Sequence, residues 1–229
     1  MEEVAINNRY ERKFFISDMS KHEIEKLIRL HPANFNEIFY QRYINSIYLD
    51  SYGMDSYHEN VNGIANRKKV RIRWYGKLLG EIQSPTLEFK IKRGLVGFKK
   101  GYKMPPFCFS NDFNKVSLEN LCDMAELPLD KRISLDSLRP VLVNRYKRKY
   151  FLSGCKRFRL TLDSEMSFGA LGLFTTLETL QFTDYQNCIV EMKYFEKDAD
   201  YAPEISNNFP YRMTRSSKYV TAVNLLGIL

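Results

Sequence analysis

Between residues 67 and 103 the chain carries twelve lysines and arginines and two acids, Glu81 and Glu88. Their order bears on chemistry more than their number does. At strand spacing, successive side chains point to opposite faces. Over 67–75 this puts Arg67, Lys69, Arg71, Arg73 and Tyr75 on one face and Val70, Ile72 and Trp74 on the other. Over 86–93, Glu88, Lys90 and Lys92 oppose Leu87, Phe89 and Ile91. Like charges at this spacing repel, along a strand and across to its neighbour. A row of cations held together calls for an anion with several charges. The alternative is a solvated outer face, but such faces normally intersperse acids among the bases. The chemistry that fits is phosphate binding and phosphoryl transfer, which needs positioning and charge stabilisation more than covalent help. Arginine forks suit pairs of phosphate oxygens, and lysines act as point charges.

Residues 9–16 read as a strand, with Glu11 and Lys13 opposed to Tyr10, Phe14 and Ile16. Ser20 and Glu23 form a capping box for a helix of about ten residues. Residues 44–50 read as a short strand and 50–63 as a turn or short helix. The basic strands 67–75, 86–93 and 97–103 come next, with 77–80 as the turn between the first two. A helix is expected over 112–126, then a strand over 139–151 that places Arg145, Lys147 and Lys149 together. Strand 158–163 groups Arg159, Thr161 and Asp163, and strand 188–195 groups Glu191 and Lys193. Residues 216–226 close the chain as a helix. Eight strands with charges on one face and apolar groups on the other predict an α+β, mainly antiparallel fold. Closure into a barrel would remove the strand edges. A barrel with a basic interior and helices packed outside satisfies both faces.

Composition sets the bounds. The chain of 229 residues is 44% hydrophobic and 14% aromatic, with fifteen Tyr and sixteen Phe. That is enough for a core and favours strands. One domain over 1–229 is expected, since no linker or repeat interrupts the pattern. A net charge of +8 points to anionic partners. No apolar run approaches the roughly 20 residues of a membrane-spanning helix. Met1 to Val4 do not read as a signal peptide. Four widely spaced cysteines and three scattered histidines give neither a disulfide framework nor a zinc spacing. A cytoplasmic location follows as an expectation.

The chain resembles the polyphosphate polymerase domain of the vacuolar transporter chaperone (VTC) proteins, within the triphosphate tunnel metalloenzymes. The resemblance rests on residues 9–14, 45–50, 87–90, 158–163 and 190–193, on Asn144-Arg145, on Val70-Arg71-Ile72-Arg73-Trp74-Tyr75-Gly76 and on Ser217-Lys218. The resemblance implies an eight-stranded antiparallel tunnel that binds a nucleotide triphosphate and a divalent metal, Mn²⁺ or Mg²⁺. It implies phosphate contacts from Lys13, Arg71, Arg73, Lys90, Lys103, Arg145, Arg159, Lys193 and Lys218, with Ser217 beside the last. It assigns the metal to Glu191. The pattern departs at Asn60, where eukaryotic polymerases carry an arginine, and Arg67 is the candidate substitute.

The implied activity is transfer of the γ-phosphate of ATP to a growing polyphosphate chain. The acceptor is an ionised phosphate oxygen, so no Ser–His or Cys–His pair is needed. Hydrolysis of tripolyphosphate or nucleoside triphosphates, and binding without turnover, remain open alternatives on the same residues. A nucleic-acid binder would expose aromatics among its cations. Here most aromatics alternate onto the apolar face, which speaks against that partner. Glu11 and Glu88 read as partners of neighbouring bases, Asp163 as a strand-end residue and Trp74 as core.

Overall fold

The structure is a computed structural model that describes residues 9–94, 96–172 and 180–228; Met1 to Val4 lie outside them. The first half runs β1 (Arg9–Ile16), α1 (Lys21–Leu30), β2 (Asn36–Asp50), α2 (Asp55–Val61), β3 (Asn66–Tyr75) and β4 (Gly80–Ile82). It continues with β5 (Thr86–Arg93), β6 (Val96–Lys103), β7 (Phe107–Phe109), α3 (Lys115–Asp123) and α4 (Leu129–Asp136). Then come β8 (Arg139–Leu152), β9 (Arg159–Ala170), β10 (Phe182–Asp184) and β11 (Cys188–Phe195). A 3-10 turn (Glu196–Tyr201), α5 (Ala202–Asn207) and α6 (Lys218–Leu226) complete the described chain.

The fold is α+β and mostly antiparallel. Nine strands form one sheet in the order β10-β9-β11-β1-β6-β5-β3-β2-β8, and β8 pairs with β9 as well. Among the described residues β1 meets β6 through the pair Arg9 and Gly97. β4 and β7 form a separate two-stranded sheet.

The alternation read from the sequence sets the two faces. In β3, Val70, Ile72 and Trp74 are buried while Lys69, Arg71 and Arg73 stay partly accessible. The apolar face of β3 and β5 packs under Leu118 and Leu121 of α3, Leu135 of α4 and Phe107 and Phe109 of β7. Trp74 is buried there, its indole N–H donating to the Lys77 carbonyl at 2.8 Å. The apolar face of β1, β9 and β11 packs under Ile24 and Ile28 of α1 and Ala202 of α5. Ser20 and Glu23 cap α1 reciprocally.

α6 departs from the expected arrangement of helices outside. Tyr48 pairs directly with Arg71 and so faces the same way. Tyr219 of α6 stacks on Tyr48 with ring centroids 5.1 Å apart. This helix therefore lies against the polar face. The reason is its composition: Ser217 and Lys218 at its start bond to polar-face groups, and Tyr219, Ala222 and Val223 fill the apolar end of that face.

Other boundaries differ too. β2 starts at Asn36 rather than at 44, with register shifts at Phe39 and Arg42 that break the simple alternation. The helix expected over 112–126 is trimmed to α3 by the Asn114 cap, and α4 begins after Pro128. The stretch after β3 is more than a turn, because β4 crosses to β7. Among the described residues no helix is long and apolar enough to cross a membrane.

Candidate functional site

Directly paired residues of neighbouring strands share a face. Arg73 lies opposite Ser46, and Ser46 opposite Asn144. Arg71 lies opposite Glu88, Lys69 opposite Lys90, and Lys90 opposite Lys99. On the same face of β1 and β11, Glu11 lies opposite Lys193 and Lys13 opposite Glu191. Glu191 in turn faces Thr161, and Lys193 faces Arg159. Side-chain contacts join the two halves: Lys90 Nζ is 2.8 Å from Glu11, across β5 and β1.

Three carboxylate centres organise the cations. Glu88 is buried and takes Arg71 at 2.6 Å, Lys99 at 2.7 Å and Arg73 at 3.6 Å. Burial opposes its ionisation, but Arg71, Arg73 and Lys99 overcome that and hold the carboxyl down at about 2. Glu191 takes Lys193 at 3.6 Å and both Lys13 and Arg148 at 3.8 Å. It too is held well below the usual carboxylate range, against burial, chiefly by Lys193 and Lys13. Asp163 is fully buried, grips the Arg148 guanidinium with both oxygens and accepts from Lys218.

The cations still outnumber these acids. Among the described residues Lys69 has no carboxylate partner; its amine donates to Ser217 Oγ at 2.7 Å. Burial, with Lys13, Lys90, Arg67 and Arg71 nearby, pulls it down to about 7. Lys90 is lowered as well, by burial and by Lys13. Several buried donors beside them have no hydrogen-bond partner among the described residues: Arg73 Nε, Ser46 Oγ and Asn144 Nδ2. Thr161 Oγ1 is in the same condition across the face.

The expected site residues therefore divide. Lys13, Arg71, Arg73, Lys90, Lys193, Ser217, Lys218 and Glu191 converge. Lys103 and Arg159 share the face but are exposed toward one end of it. The Arg67 guanidinium is turned to the Ile64 carbonyl at 2.7 Å, at the start of β3. Arg145 is a correction. It pairs with Asn45, which pairs with Trp74, so it lies on the apolar side, its guanidinium 3.8 Å from the Tyr43 ring centroid. Lys147 and Lys149 follow it, pairing with Glu165 and with Glu25 of α1. The arginine that β8 delivers to the polar face is Arg148, beside Tyr146. The unbroken apolar run Val141-Leu142-Val143 carries no alternation from which the sequence could have shown this. Asp163 is likewise no strand-end residue but the anchor of Arg148 and Lys218.

Similarity to solved structures shows the fold. The PH1819 protein of Pyrococcus horikoshii OT3 superposes with a TM-score of 0.51 at 12% identity, covering 96% of this chain and 99% of that one. A candidate adenylate cyclase from Vibrio parahaemolyticus gives 0.52 at 13%, covering 94% and 98%. HpAC1 from Hippeastrum, a candidate adenylyl cyclase with a dominant triphosphatase activity, gives 0.52 at 12%, covering 96% of each chain. No curated protein matches the chain significantly. The VTC domain model matches residues 8–227, and with that span the chain belongs to the VTC domain family.

Proposed function

We propose that this protein is an ATP-dependent polyphosphate polymerase that passes the γ-phosphoryl group of the nucleotide to a growing polyphosphate chain. The observation that carries the reading is the polar face itself. Partly buried cations in excess of their carboxylates converge there with unpartnered buried donors, Arg73 Nε, Ser46 Oγ and Asn144 Nδ2. Buried donors of this kind call for an acceptor. A chain of phosphoryl groups offers many acceptor oxygens and the charge to match. The reading includes a tunnel: β9-β11-β1-β6-β5-β3-β2-β8 pair in succession, and the additional β8–β9 pairing supports closure.

Each group then has a task. Arg73 presents its unpartnered Nε to phosphate. Arg71, committed to Glu88 through Nε and Nη2, supplies positive charge and fixes Glu88. Lys13, Lys69, Lys90, Arg148, Lys193 and Lys218 spread the charge that develops during transfer. An ionised acceptor oxygen needs no base from the protein.

A divalent metal fits the donor set. Glu11 and Glu191 both lie against Lys13. A hard ion such as Mg²⁺ or Mn²⁺ takes one or two carboxylates and completes its shell with phosphate oxygens. Glu191, with Glu11, would hold it. When bound, the ion would neutralise phosphate charge. Among the described residues no group of three or more His, Cys, Asp or Glu side chains forms a metal cluster.

Hydrolysis of triphosphates on the same face is the second reading, favoured by the triphosphatase activity of the Hippeastrum protein that shares the fold. One experiment separates them. Incubation with ATP and Mn²⁺, followed by gel electrophoresis and phosphate assay, should give long-chain polyphosphate. Phosphate release without polymer would establish hydrolysis, and neither product would leave a binding module.

A further inference from the structure

The two ends of the polar face differ. At one end α6 covers it, and Tyr48, Tyr219 and Val223 are buried together. At the other end Arg159, Lys103, Phe39 and Tyr75 are exposed. That open end carries an aromatic collar around one cation. The Arg42 guanidinium carbon sits 4.4 Å from the Tyr75 ring centroid, 4.9 Å from Tyr150 and 5.6 Å from Phe39. Phe39 also meets Tyr150 edge-on at 5.7 Å. Arg42 lies opposite Arg148, so the collar adjoins the charged centre.

We infer that this collar is the nucleobase subsite, with Tyr75 as its stacking platform. The inference rests on the proposed triphosphate site and names the part of the ligand that lies outside the charged centre. Tyr75 is 51% exposed, although most aromatics of this chain are packed away. Arg42 holds one side of the ring, which leaves the other for a flat π-system. Tyr75, Arg73 and Arg71 stand at alternate positions of one strand, roughly 6.5–7 Å apart. A base on Tyr75 therefore directs its phosphates along Arg73 and Arg71. A bare phosphate chain has no use for such a collar, whereas a nucleoside triphosphate has a flat end to place on it. The rival location is the cavity of about 520 Å³ at the α6 end, lined by Phe168, Phe182 and Leu225 and touching Lys218.

Titration calorimetry with Mg-ATP and Mg-tripolyphosphate tests this on the wild type and on Tyr75→Ala, Tyr75→Phe and Phe182→Ala. Base stacking of ordinary strength predicts that Tyr75→Ala loses about tenfold in ATP affinity. Its tripolyphosphate affinity should stay within about twofold, and Tyr75→Phe should bind both ligands as the wild type does. Equal losses for both ligands, no loss for either, or an ATP-specific loss in Phe182→Ala instead would overturn the subsite. Failure of the wild type to bind tripolyphosphate would overturn the reading of the charged centre, and the collar with it. A melting curve for each variant establishes that it is folded.

Discussion

Lys69 is the residue whose charge is most finely set. Its folded value of about 7 lies far below the ordinary lysine value of about 10.4. Between these values the unfolded chain binds more protons than the folded one. The contribution of this group to stability therefore rises with pH across that window. Below about 7 the amine is charged in both states and bears the full cost of burial and of its cationic neighbours. A bound polyanion reverses the balance by favouring the charged amine. Binding of tripolyphosphate at pH 8 should thus take up protons, seen as a binding enthalpy that varies with the ionisation heat of the buffer. Lys69→Met should abolish most of that variation. The two arginines of β3 should separate as well. Arg73, with an unpartnered Nε, should lose about ten- to a hundredfold in tripolyphosphate affinity on change to Ala, and less on change to Lys. Arg71→Ala should lower the melting temperature too, because it strips the buried Glu88 of its shortest ion pair.

At the scale of elements, α6 is the part held by chemistry rather than by apolar area alone. Lys218 at its start bonds Asp163, and Ser217 caps it through the Val220 amide while accepting from Lys69. Asp163→Ala would leave Lys218 without its carboxylate and the buried Arg148 with only Glu191 at 3.8 Å, at a cost of about 3 kcal/mol. The expected readout is a lower denaturation midpoint and faster hydrogen exchange of the α6 amides. An unchanged midpoint would show that apolar packing on Tyr48 suffices to seat the helix. Ser217→Ala should cost about 1 kcal/mol as a lost cap.

At the scale of the whole molecule, the polar face couples stability to acid and to anions. Glu88, Asp163 and Glu191 all ionise more readily in the folded state than in the unfolded chain. Their contribution is complete above the ordinary carboxylate value of about 4 and is lost as pH falls through their lower folded values, about 2 for Glu88. Thermal melts from pH 6 down to pH 2 should show the steepest loss below pH 4. Tripolyphosphate should raise the melting temperature at neutral pH, because it binds only the folded state, and the rise should shrink as salt is added.

Local pattern was enough for much of this. The alternation in 67–75 and 86–93 fixed two faces, because side-chain direction in a strand depends only on parity. The excess of cations on one of them already implied a polyanion. The capping box at Ser20 and Glu23 was equally local. What parity could not supply was register and long-range pairing. The irregular pairing of β2 hid eight of its residues and the Arg42 collar. Arg145 and Arg148 could be told apart only by knowing which side of β8 packs against the apolar face. Asp163 became an anchor only when β8 and α6, distant in sequence, brought Arg148 and Lys218 to it. Lys69 owes its lowered value to residues on β1, β3 and β5 and to burial, none of which exists until the sheet assembles. The sequence by itself determined which groups were present and which shared a strand face. Tertiary structure decided which of them met, because only packing sets the distances and burial on which ion pairing depends.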